Sequence, residues 1–195
     1  MRPAVLVAFV DALGPREATT LATRVGLAPR GLTGILGYSS GALPTILTGR
    51  SPSEHGRMCL FSGYTGPSAS PLAPLRFLEL LPAVVRSRPR VQRVVTRLFS
   101  TAMGWDGYFT PARVPPSLFR DLDAPEDRDL FRADEIGGCP TFLAEAREAG
   151  LRVSVADWRT SDAARADALA NAPDADLSLL YFSGLDGLLH ARGAV

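Results

Sequence analysis

Three stretches of the chain hold residue types that could support chemistry. Asp11 closes an apolar run, Ala4-Val5-Leu6-Val7-Ala8-Phe9-Val10. Gly37-Tyr38-Ser39-Ser40-Gly41 is a small hydroxyl-rich turn ahead of a helical pattern. Asp186 follows a second apolar run, and His190 lies four residues beyond it. A carboxylate, an imidazole and an oxygen nucleophile together suit a divalent cation, because carboxylates and His are ordinary zinc ligands. A bound metal lowers the pKa of a coordinated hydroxyl and polarises a phosphoryl oxygen. That is the activation a serine lacks at neutral pH. A hydroxyl at a helix N-terminus also suits an anion, since free backbone N–H groups point at it.

Each stretch has a plainer reading. An Asp closing a strand is often a turn or cap residue. Asp186 and His190, one helical turn apart, make an ordinary surface pair. Ser39-Ser40 fits an N-cap. Their joint placement favours function, because ligands of open parallel sheets bind beyond the carboxyl ends of the strands.

The elements that must position these residues follow an α/β rhythm. Residues 4–10 read as a central parallel strand covered on both faces. Residues 16–25 and 42–49 read as helices. The glycines at 31, 34 and 37 lack the spacing and strand context of a dinucleotide fingerprint. Later, 139–149 reads as a helix ended by Gly150, 151–156 as a strand, 161–170 as a helix capped by Ser161, and 177–182 as a buried strand. This order predicts a mostly parallel sheet flanked by helices.

The middle differs. Between residues 76 and 97 there are six Arg and one Glu. Val91, Val94, Val95 and Leu98 fall on one helical face, and Arg90, Arg93 and Arg97 on another. From Arg120 to Glu135 the balance turns acidic, with seven Asp or Glu against three Arg. Residues 67–135 therefore read as a cap inserted into a single domain spanning 1–195.

Composition narrows the chemistry. The 195 residues are 46% hydrophobic and carry a formal charge of only +1, which gives no overall electrostatic case for nucleic acid. No Lys is present, which excludes a Schiff-base lysine and a Walker-type phosphate loop. The two His, His55 and His190, cannot form a helical HExxH site. Cys59 and Cys139 form no CxxC pair; two buried thiols in a reducing compartment are favoured over the alternative of one disulfide, so a cytoplasmic protein is expected. A membrane surface is not expected as a partner, because the Arg-rich helix at 90–99 is short for an interfacial anchor.

The segment Leu36-Gly37-Tyr38-Ser39-Ser40-Gly41-Ala42-Leu43-Pro44-Thr45-Ile46-Leu47-Thr48-Gly49-Arg50-Ser51-Pro52-Ser53-Glu54-His55-Gly56 resembles the nucleophile region of the alkaline phosphatase superfamily. It is most similar to the type I phosphodiesterase/nucleotide pyrophosphatase branch, with its T-G-x-x-P-x-x-H-G stretch. The strand ending in Asp11 resembles that family's first metal-ligand strand. Asp186-Gly187-Leu188-Leu189-His190-Ala191-Arg192-Gly193 resembles its D-x-x-x-H-x-x-G metal motif.

The resemblance implies a three-layer α/β/α sandwich that lacks its C-terminal strands and carries a helical cap. It implies a hydrolase of small phosphate esters or diesters that uses a serine and two divalent metal ions, zinc by ligand type. Ser39 would be the nucleophile and a ligand of one metal, with Ser40 as its rival. Asp11 would share that metal, and Asp186 and His190 would bind the second. His55 reads as packing for the nucleophile turn. The family places a phosphate-binding Asn soon after His-Gly, whereas here the stretch is Arg57-Met58-Cys59-Leu60. Arg57 is a candidate for that anion contact; its alternative is a surface charge. The family's later Asp-His pair and further His have no counterpart. The alternative to an enzyme is thus a truncated or degenerate relative with incomplete metal sites.

Overall fold

A computed structural model describes residues 4–35, 39–59, 61–104, 114–124, 130–171 and 174–192. Leu36, Gly37, Tyr38, Leu60 and Gly193 of the motifs lie outside the described residues, as do parts of the expected cap. In chain order the elements are β1 (Val5–Val10), α1 (Pro15–Arg24), α2 (Ser39–Thr48), α3 (Pro52–His55), β2 (Ser62–Gly63), a 3-10 helix (Ala73–Leu80), α4 (Ala83–Arg86), α5 (Pro89–Met103), a second 3-10 helix (Pro116–Arg120), β3 (Leu122–Asp123), β4 (Glu135–Ile136), β5 (Cys139–Pro140), α6 (Phe142–Glu148), β6 (Val153–Ala156), α7 (Asp162–Asn171), β7 (Leu177–Phe182) and α8 (Gly184–Arg192). They divide into two compact units, residues 1–35 with 142–195, and residues 36–141.

The first unit is α/β. Its parallel sheet has the order β1-β7-β6, with Val5 opposite Leu177 and Val153 opposite Leu177 on the other side. β6, α7 and β7 form a βαβ unit, the usual way to join adjacent parallel strands. The run read as a buried strand at 177–182 lies at the sheet's centre, and Leu177, Ser178, Leu179 and Leu180 are buried. The run at 4–10 forms β1 but is not central. Among the described residues it pairs with β7 alone, and Val5 and Leu6 are about half exposed. A continuous apolar run is compatible with both places, since periodicity does not count a strand's neighbours.

Local signals account for most boundaries. Ser161 Oγ accepts the Ala164 N–H at 3.2 Å, the expected cap of α7. Gly150 follows α6 with φ +75°, and the Leu151 N–H reaches back to the Ala146 carbonyl at 3.0 Å. That left-handed close suits glycine. The helix expected from 139 starts later, because Cys139–Pro140 pairs with Glu135–Ile136 in a hairpin. Gly137 and Gly138 supply the two-residue turn, with φ of +58° and +77°.

The second unit has its own core of Leu72, Leu75, Leu78, Phe119 and Ala124, against which Val95 and Phe99 of α5 pack. β2 and β3 pair antiparallel beside it, and Ser70 Oγ donates to the Leu122 carbonyl. A cavity of about 370 Å³ is lined by Leu78, Ala83, Val91, Val95, Val114 and Arg86 among others. Both cysteines are free. They are not buried as expected: Cys59 is exposed and Cys139, in the β5 strand, is half-buried. Among the described residues, no helix is long and apolar enough to cross a membrane.

Candidate functional site

The carboxyl edge of the sheet in the first unit gathers several polar groups. The ladder continues one step past β1, where the Asp11 N–H donates to the Phe182 carbonyl at 2.9 Å. This fixes Asp11 at the strand's end. Its Oδ2 accepts the Tyr181 hydroxyl at 2.7 Å, and its Oδ1 accepts the Ala12 N–H at 2.9 Å. The Tyr181 ring stacks on Phe9, centroids 5.4 Å apart, which holds the hydroxyl in place. Ala12 turns the chain away with φ +60°, a conformation non-glycine residues rarely adopt. Each carboxylate oxygen has two lone pairs, so Asp11 keeps acceptor capacity beyond these bonds.

Asp186 and His190 lie one turn apart on α8, with Nε2 3.4 Å from Oδ1. The imidazole is 81% exposed. This pair can share a cation or simply each other. A catalytic zinc site takes three protein ligands. Among the described residues no group of three His, Cys, Asp or Glu side chains stands close enough to hold a metal.

Sequence reasoning passed over a third strand end. Asp157 follows β6 as Asp11 follows β1, and it is largely buried. Its carboxylate takes the Arg159 N–H at 2.9 Å and pairs with the Arg159 guanidinium. Its carbonyl accepts Nε of Arg165 at 2.8 Å. Arg165 is 1% exposed, pairs with Asp162, and lies 5.9 Å from the Phe182 ring centroid. A buried guanidinium needs such partners. The repeated apolar-run-then-Asp pattern was the available signal for Asp157. Asp162 and Arg165, three residues apart, were the signal for the pair.

The second unit holds the serines. Ser39 opens α2, so its backbone belongs to the turn whose N–H groups lack helical partners. Ser40 is buried, and its Oγ has no hydrogen-bond partner among the described residues. Pro44 has no N–H to offer the Ser40 carbonyl, which leaves a gap in the helical ladder at the serine pair. A Cβ built on Gly41 would lie 3.2 Å from the Met58 carbonyl oxygen and 3.4 Å from that of Arg57. The first turn of α2 thus lies directly against the Arg57–Met58 backbone. The Arg57 side chain is half-buried with Nε inside.

His55 ties this arrangement together. It is 1% exposed. Its Nδ1 accepts the Arg57 N–H at 3.1 Å, so the proton sits on Nε2. Nε2 donates to Thr45 Oγ1 at 2.9 Å, and that hydroxyl donates to the Gly41 carbonyl at 3.0 Å. Both ring nitrogens are committed, which makes His55 a brace between α3 and α2 and leaves it no lone pair for a metal. Burial, reinforced by the charge of Arg57, holds its pKa below the ordinary 6.5. The unfolded chain therefore binds a proton near pH 6.5 that the folded chain refuses. The stabilisation is complete above pH 6.5 and is lost as pH falls from there toward the folded-state pKa. His55→Gln is expected to lower stability at pH 8 and to flatten the slope between pH 7 and 5, by up to about 1.4 kcal/mol per pH unit. Urea titrations at several pH values test this; an unchanged slope would show that His55 does not govern it.

Of the residues read from the sequence, Asp11, Asp186 and His190 belong to the first unit, and Ser39, Ser40 and Arg57 to the second. The structure pairs Asp186 with His190 and sets the Arg57 backbone against the serine turn. In comparisons with known proteins, no protein-family model, curated protein or solved structure matches the chain.

Proposed function

We propose that the chain carries the nucleophile region of a hydrolase of small phosphate esters or diesters, of the alkaline phosphatase type and with its three-layer sandwich. The observation that carries this reading is the first turn of α2: Ser39 opens a helix whose N-terminal turn lies against the backbone of Arg57. Open N–H groups, a helix dipole and a guanidinium are what a phosphoryl group requires. Ser40 is too enclosed to reach a substrate, which favours Ser39 as the nucleophile. In this reading Ser39 Oγ bonds to phosphorus in line as the P–O bond to the leaving alkoxide breaks and the serine proton passes to that alkoxide; water then attacks phosphorus, breaking the Oγ–P bond, freeing the phosphate and restoring the serine hydroxyl. The low use of cysteine supports a cytoplasmic setting.

Two divalent ions, zinc by ligand type, remain part of the proposal, with Asp11, Ser39, Asp186 and His190 as the candidate ligands. Bound there, they would supply Lewis acidity. The absence of a three-donor cluster among the described residues favours a second reading, a non-catalytic relative with incomplete sites. Two measurements separate them. Calorimetry with zinc should show two tightly bound ions, and the loaded protein should hydrolyse 4-nitrophenyl phosphate or its bis ester. A folded chain that binds no zinc and releases no nitrophenol would overturn the enzyme reading.

A further inference from the structure

We infer that the outer face of α5 docks on an anionic lipid bilayer. The helix runs fifteen residues, longer than its sequence pattern suggested, and buries none of them. The valine face divides in the folded chain. Val91 and Val95 line the cavity of the second unit. Val94 and Leu98 point outward at 56% and 66% exposure. Arg90, Arg93 and Arg97 lie along the adjoining stripe of the same helix, spaced three and four residues apart. Among the described residues no carboxylate pairs with these three.

Exposed aliphatic side chains beside a row of cations are the two components of interfacial binding, apolar insertion and attraction to anionic headgroups. The preceding segment extends the same character. Leu80 and Val84 are 86% and 70% exposed, and Glu79 is the sole acid between residues 76 and 97. Charge complementarity selects an anionic partner. The protruding aliphatic groups select a bilayer over a nucleic acid or polyanion, which offers no hydrocarbon to enter.

Co-sedimentation of the full chain with vesicles tests this. The full chain should bind phosphatidylcholine–phosphatidylglycerol vesicles at least roughly tenfold better than pure phosphatidylcholine. Binding should weaken as salt rises from about 0.1 M to 1 M, where screening shortens from about 10 Å to 3 Å. Each arginine near such a surface is worth about a fivefold factor, so R90Q/R93Q/R97Q together should weaken binding by roughly a hundredfold. V94Q/L98Q should weaken it while leaving heparin binding unchanged. All five positions are exposed, and circular dichroism and a thermal melt verify that the variants fold. Three results would overturn the inference: equal affinity for neutral and anionic vesicles, no loss in the arginine variant, or heparin binding with no vesicle binding.

Discussion

Ser39→Ala is expected to lower hydrolysis of a nitrophenyl phosphate ester by at least about a thousandfold. Removing a nucleophile removes the covalent route, and what survives comes only from binding and charge stabilisation. Ser39 occupies the opening position of α2, and in the proposed reading the open N–H groups of that turn receive the phosphoryl group its hydroxyl attacks. Ser40→Ala is the matched control. Its hydroxyl is buried with no partner among the described residues, so deletion is expected to relieve an unmet hydrogen-bonding group. Turnover should stay within about tenfold, and stability should hold or rise by about 1 kcal/mol. The reverse pattern, with S40A dead and S39A active, would transfer the nucleophile to the second serine. Steady-state rates and urea midpoints of the two variants decide it.

Gly137→Ala is expected to be the most damaging single-methyl change in the second unit, at about 2–5 kcal/mol. Two effects add. Gly137 has φ +58°, where an L side chain is strained. A Cβ there would sit 2.0 Å from the His55 carbonyl oxygen and 2.7 Å from its carbon. Those are backbone atoms, and no rotamer change relieves the overlap. Gly138 has φ +77° but open space around it, so Gly138→Ala should cost only about 1 kcal/mol. The difference between the two urea midpoints isolates the contact. Equal midpoints would mean that the hairpin yields without loss. Because His55 braces α2 through Thr45, G137A should also disturb the serine turn.

The elements were legible wherever local chemistry decides the outcome. The strand at 177–182 coincides with β7, because six apolar or small residues bounded by Asp176 and Ser183 admit little else. The cap at Ser161 and the stop at Gly150 work through atoms within five residues of each other. What depends on tertiary neighbours was not legible. β1 and β7 have similar patterns, yet one takes the edge and the other the centre. Val91 and Val94 have the same side chain, yet only one turns inward. The brace at His55 was readable as packing from its motif. Its route through Thr45 to the Gly41 carbonyl was not, because its first link joins side chains ten residues apart. Asp157 escaped notice although its pattern matched that of Asp11, because nothing in the sequence foretells the arginines that enclose it.

The outer rim of β1 has a practical corollary. Among the described residues β1 pairs on one side only, and Val5–Val10 contains no charge and no proline, the usual gatekeepers of an edge strand. An edge strand of this composition is open to β-augmentation by an extended segment with a matching stripe. A charge introduced at Val5, already facing water, is the mildest way to guard that edge.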